Sequence, residues 1–184
     1  MADVAPAAPA APAAPAGPAV PAAPVVPVAG TLAVRLVGPG EAARVHAVVR
    51  AAFAARPALD PPADALAETP ASLAAALRPA GGMLAEATGP DGAGEAVGAL
   101  LLDPDPVRGL VWVRRFGVLP GWQAHGVGSR MVEAVVAHAG DRTLAVLARP
   151  ELPRSLAFWE AHGFVESGRP APYVELVRPA GGAR

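Results

Sequence analysis

Three features of this sequence predict an α/β fold built on a mixed α+β sheet, in the order β-α-α-β-β-β-α-β-α-β-β. Short apolar runs alternate with stretches of helical spacing all the way from Leu32 to Val177. In the first half, three apolar runs are separated only by turns, which predicts antiparallel strands. In the second half, the run Leu110 to Val118 passes through a glycine-rich turn into an amphipathic pattern, and another apolar run follows. That is the signature of a βα crossover.

Each element has its own reason. Leu32 to Val37 reads as the first strand, broken by Gly38-Pro39-Gly40. From Glu41 to Ala55, Val45, Val48, Val49 and Ala52 fall on one helical face. Pro57, Pro61 and Pro62 mark a loop. A second helix runs from Pro70 to Leu77, with Thr69 as N-cap and proline at the first helical position. Met83 to Ala87 and Glu95 to Leu102 read as strands joined by the Gly89-Pro90-Asp91-Gly92 turn, hence a hairpin. Asp103 to Gly109 reads as another turn, and Leu110 to Val118 as the fourth strand. Val127, Met131, Val135 and Ala139 carry the period of a third helix. Thr143 to Ala148 is a buried-type strand. Pro153 to His162 is helical, with Leu156 and Trp159 on one side and Gly163 as its cap. Phe164 opens a strand, and Tyr173 to Val177 is expected to close the sheet.

Composition narrows the function. The chain has 184 residues and a net charge of −1, so no basic surface points to nucleic acid or an anionic membrane. Cysteine is absent, which removes disulfides, thiolate metal sites and a cysteine nucleophile. The four histidines lack metal-ligand spacing, and no metal is expected. Residues 1–30 stand apart: proline recurs at every third position from Pro6 to Pro27. Proline removes backbone donors and fixes φ, so a disordered, extended Pro/Ala-rich arm is expected there. The arm lacks the basic start and unbroken apolar core of a secretory signal. No apolar run approaches the ~20 residues that span a bilayer. The folded domain is expected over 31–178, with a disordered end at 179–184.

The most informative stretch is Val118-Leu119-Pro120-Gly121-Trp122-Gln123-Ala124-His125-Gly126-Val127-Gly128-Ser129. Gln123 is the chain's only glutamine. A glycine-rich turn feeding a helix N-terminus offers unpaired N–H groups and the positive end of a dipole, which suits a pyrophosphate. Other phosphate motifs are missing: the chain has no lysine, hence no P-loop, and no G-x-G-x-x-G opens a first βα unit. The plain alternative is a connection whose glycines serve backbone geometry alone. The stretch resembles the acyl-CoA-binding signature V-x-P-x-x-[QR]-x-x-G-x-G of the GNAT superfamily of N-acyltransferases, with Val118, Pro120, Gln123, Gly126 and Gly128 in register. The predicted element order is also that of the family.

The resemblance implies a function and a site. It implies transfer of an acyl group, acetyl first, from acyl-CoA to a primary amine. It implies that the strand holding Val118 splays from its neighbour, and that backbone groups near Val118 hold the pantetheine arm and polarise the thioester. Gln123, Ala124, His125, Gly126, Val127, Gly128 and Ser129 would meet the pyrophosphate. The run Arg154 to Phe164 is similar to the family's second signature, N-x-x-A-x-x-F-Y-x-x-x-G-F, through Ser155, Phe158, Gly163 and Phe164. These place Ser155, Phe158 and Trp159 beside the cofactor.

Two positions depart from the second signature, and the family's base positions depart as well. Leu152 stands for the family's asparagine, and Trp159 for a tyrosine thought to protonate the thiolate. An indole N–H is not acidic enough for that work. The family's base positions on the fourth strand hold Trp112 and Arg114. A guanidinium takes no proton. The proton is therefore expected to pass through water to Glu68, Glu86 or bulk solvent. Arg114 is expected either to contact the carboxylate or phosphate of an acceptor, or to pair with Glu86 or Glu95 on a neighbouring strand. Arg114 and Arg115, as adjacent strand residues, should point to opposite faces.

The partners implied are a small-molecule or peptide amine, with no nucleic acid and no membrane, in a cytoplasmic protein; oligomeric state is left open, a homodimer included. With base and tyrosine both replaced, a non-catalytic acyl-CoA sensor remains the alternative. A third reading, an interaction module built on the Pro/Ala arm, separates from both because deleting residues 1–30 would leave an enzyme's turnover unchanged.

Overall fold

The computed structural model describes residues 31–89 and 93–181. The expected arm, the tip of the 89–92 turn and the last three residues lie outside the described residues. Seven strands form one sheet: β1 (Thr31–Val37), β2 (Gly82–Thr88), β3 (Gly94–Asp105), β4 (Leu110–Val118), β5 (Thr143–Ala148), β6 (Val165–Gly168) and β7 (Val174–Arg178). Their spatial order is β1-β2-β3-β4-β5-β7-β6. Only β4 and β5 run parallel. All other neighbours are antiparallel. The last strand in sequence therefore does not close the sheet: β7 inserts against β5, and β6 takes the edge.

Four helices cover the sheet: α1 (Ala42–Ala54), α2 (Pro70–Ala76), α3 (Val127–Ala139) and α4 (Pro153–Ala161). The helical periods did their work. Val45, Val48, Val49 and Ala52 of α1 are all buried, as are Val127, Met131, Val135 and Ala139 of α3. At α2, Thr69 and Ser72 exchange the reciprocal bonds of a capping box. Two core layers result. On one face, α1 and α2 pack on Val37, Leu84, Ala99 and Leu101. On the other, α3 and Trp159 of α4 pack on Leu100, Val111, Val113, Val146 and Leu176.

One irregularity positions the site. β3 pairs with β4 through a register shift between Ala99 and Leu101, and Arg115 sits in the left-handed region at φ 54. This is a β-bulge, which adds a residue to β4 and bends it. It also cancels the expected alternation of Arg114 and Arg115. Arg114 stands opposite Leu101, on the α1 face, and Arg115 pairs with Glu68 just before α2, on that same side.

Candidate active site

The sheet is split where its two parallel strands meet. β4 and β5 pair only from Leu110 to Trp112 against Thr143 to Ala145. Beyond that point the strands part, and a cavity of about 1070 Å³ occupies the gap. Its walls come from both faces of the sheet: Phe53 of α1 and Arg56 just after it on one side, Gly128 and Phe158 on the other. The gap passes through the sheet, so two molecules could meet inside it from opposite faces.

At its mouth on the α3 side lies the glycine turn. Ala124 and Gly126 both adopt left-handed backbone, φ 62 and φ 78. Gly126 is the N-cap of α3, and no side chain caps that end. The amides of Gly126, Val127, Gly128 and Ser129 therefore start the helix without intrahelical acceptors. A Cβ built on Gly126 would meet nothing within 4 Å, so the space before these amides is open. On Gly128 a Cβ would lie 3.2 Å from the Phe158 ring. Open space, unpaired donors and a positive dipole end together fit a pyrophosphate.

Most of the residues named from the sequence gather here. Val118, Gln123, Ala124, Gly126, Gly128, Ser129, Ser155, Phe158 and Trp159 all border the cavity. Two do not. The Val127 side chain is buried in the core, leaving only its amide near the mouth. His125 is exposed, with Nδ1 2.6 Å from the Gln123 carbonyl.

The ladder of β3 and β4 fixes where Val118 points. Leu119 N–H donates to the Val97 carbonyl at 2.9 Å, and Gly98 stands opposite Val118. That makes Gly98 and Val118 an open pair, so Val118 turns its own N–H and C=O away from β3 and into the gap. Gln123 Nε2 donates to that carbonyl at 3.3 Å. The N–H remains directed at the gap, where a carbonyl oxygen could accept from it.

Aromatic rings form the far wall. Trp159 is 5% exposed, with ring centroids of Phe116, Phe158 and Phe164 at 4.9, 5.2 and 5.0 Å. The His162 ring lies 4.4 Å from that of Phe158, tilted by 43°, and places Nδ1 2.7 Å from the Phe158 carbonyl.

The charged residues sort differently from expectation. Arg114 borders the cavity, but its Nε lies 2.6 Å from Asp103 on β3. The neighbouring-strand pair exists, with Asp103 as partner rather than Glu86 or Glu95. Glu86 is taken by Arg35 and Arg44. Glu68 is outside the cavity lining. Its carboxylate holds Arg115 at 2.8 Å and accepts from the Ser72 hydroxyl. Burial pushes its pKa up, but the bonds from Ser72 and Arg115 outweigh this and leave it below the usual carboxylate range. Such a group is a poor proton acceptor.

Three cavity residues had no local signal in the sequence. Arg149 is 6% exposed, pairs with Glu151, and donates to the carbonyls of Asp60 and Pro61 at 2.7 and 3.0 Å. It thereby ties the loop after α1 to the end of β5, across the gap. Tyr173, the chain's only tyrosine, stands under the Arg149 guanidinium. Arg56 donates to the Phe116 carbonyl at 2.8 Å. Among the described residues, no three His, Asp or Glu side chains gather into a metal-holding group. No described helix is long and apolar enough to cross a membrane.

A mixed sheet split between β4 and β5, with an uncapped helix end at the mouth of the split, is the architecture of the GNAT fold. The chain belongs to the acetyltransferase (GNAT) family, whose model matches residues 46–164. No curated protein sequence matches it. Solved structures share its fold at low identity. A GNAT-family acetyltransferase from Streptococcus pneumoniae is 17% identical, over 82% of this chain and 100% of its own, at TM-score 0.66. The PaiA N-acetyltransferase of Thermoplasma acidophilum, solved in complex with coenzyme A, is 11% identical over 81% and 99%, at 0.64. The ribosomal-protein-S18-alanine N-acetyltransferase of Escherichia coli is 14% identical over 84% and 97%, at 0.61.

Proposed function

We propose that this protein transfers an acetyl group from acetyl-CoA to a primary amine. The observation that carries the reading is the split between β4 and β5, walled from both sheet faces, with the open amides of Gly126 to Ser129 at one mouth. In this reading those amides hold the pyrophosphate, and the Val118 N–H polarises the thioester carbonyl. Ser155 and Phe158 border the cofactor. A neutral amine forms the C–N bond as the C–S bond breaks. Its proton leaves with the thiolate or through water. The site's contribution is placement and a fixed dipole at the carbonyl oxygen, in a gap shielded by aromatic rings.

The test is binding to the full chain. A ligand that binds only the folded state stabilises it by mass action. Acetyl-CoA at about a hundred times its Kd adds ~2.7 kcal/mol, which raises the melting temperature of a domain this size by roughly 5–10 °C. No shift at millimolar acetyl-CoA or CoA would remove the proposal. The sensor reading draws support from one observation, the buried Trp159 at the family's tyrosine position. It predicts the same shift without turnover.

A further inference from the structure

We propose that Arg56 is the anion dock of the acceptor side, so that the acceptor is a small amine carrying its own carboxylate or phosphate. This rests on the acyl-transfer reading. The cavity's arginines differ in what they touch. Arg114 has Asp103, Arg115 has Glu68, and Arg149 has Glu151. Arg154 is exposed at the start of α4, on the cofactor face. Arg56 is half-buried and has no carboxylate within 4 Å among the described residues. Its polar contact is the Phe116 carbonyl. The rest of its N–H fork has no hydrogen-bond partner among the described residues. A guanidinium stays charged, and partial burial without a counter-charge is unfavourable. Burial lowers its pKa accordingly, with no carboxylate to offset it.

The guanidinium is held in place. It lies 3.7 Å over the Phe53 ring. The end of α1 is seated on β4 at Gly117, where a Cβ would come within 2.8 Å of Ala52. A rigid, flat fork with free donors recognises a carboxylate or phosphate by two-point contact. Position then separates this anion from those of CoA. Arg56 borders the gap from the α1 face, whereas Gly126 to Ser129 stand on the α3 face. Its anchor, the Phe116 carbonyl, is two residues from Val118, ~7 Å along the strand. That spacing suits an amine a few bonds from its acid group. The loop that Arg149 ties to β5 bounds the same end, which favours a small molecule over a protein surface.

The experiment uses the full chain and matched acceptors: phenethylamine against phenylalanine, butylamine against 4-aminobutyrate, and ethanolamine against ethanolamine phosphate. Thiol release from acetyl-CoA gives kcat/KM for each. At least one acid member should exceed its neutral partner tenfold or more. Arg56→Met should cut that ratio at least tenfold, chiefly through KM, and Arg56→Lys should restore part of it. Binding of CoA and of dephospho-CoA should be unchanged in Arg56→Met; a tenfold loss of affinity for either would make Arg56 a cofactor contact and overturn the proposal. Wild-type preference for every neutral member, or an equal loss for both members in Arg56→Met, would also overturn it. If Arg56→Met does not fold, product inhibition of the wild type decides: N-acetylphenylalanine should inhibit at least tenfold more strongly than N-acetylphenethylamine, and equal inhibition refutes the dock. Absence of thiol release with every amine would fall on the acyl-transfer reading and take this proposal with it.

Discussion

Gly126→Val should cost the protein at least ~30-fold in affinity for CoA while leaving its fold in place. The space before Gly126 is empty, so a side chain there meets no protein atom. It enters instead the volume that a pyrophosphate would fill, in front of amides with no other acceptor. A hydrogen bond to a charged group contributes ~1.5–3 kcal/mol, so losing even one is worth tenfold or more. The left-handed backbone at φ 78 adds strain for a branched residue, ~1–2 kcal/mol against stability. Isothermal titration with CoA, alongside a melting curve, reads both effects. Gly128→Val should differ. Its Cβ would press on the Phe158 ring, so stability should fall together with binding. Normal CoA affinity in a folded Gly126→Val would show that the turn does not cradle phosphate.

Trp159→Ala should be the most destabilising single change at the site. The indole is buried and touches three aromatic rings, so its removal opens a cavity in the α4 side of the core. Truncations of this kind cost about 3–5 kcal/mol, a fall of roughly 6–20 °C in melting temperature. Trp159→Tyr keeps most of the ring contact and should lose far less. If instead Trp159→Ala melted normally and lost only turnover, the residue would be acting on ligand and not on packing.

How much of this was legible depends on how local the signal is. The periods of α1 and α3 and the apolar run of β4 are local: each led to the right element, and the two helical periods also to the right buried face. The glycine turn was legible because its residues are contiguous and their geometry is set by their own φ angles. The bulge at Arg115 left no mark in the sequence, since a non-glycine residue in left-handed backbone is placed there by the sheet around it. It alone reversed the expected facing of Arg114 and Arg115. Long-range polar partners were also out of reach: Arg149 meets carbonyls 88 and 89 residues away, and Arg115 meets a carboxylate 47 away. Arg56 shows the same limit. Its lack of a carboxylate partner is a property of the folded surroundings, and nothing near it in the chain signals it.

If the split sheet carries out acyl transfer, an amine should drive the release of free thiol from acetyl-CoA. Purified full-length protein would be followed with a thiol reagent over a broad panel of primary amines, neutral and acidic, against a no-amine control. Release should depend on the amine, saturate with it, and fall sharply in Gly126→Val. Clear binding of acetyl-CoA with thiol release no faster than the control for every amine would contradict it and leave a protein that binds the cofactor without using it.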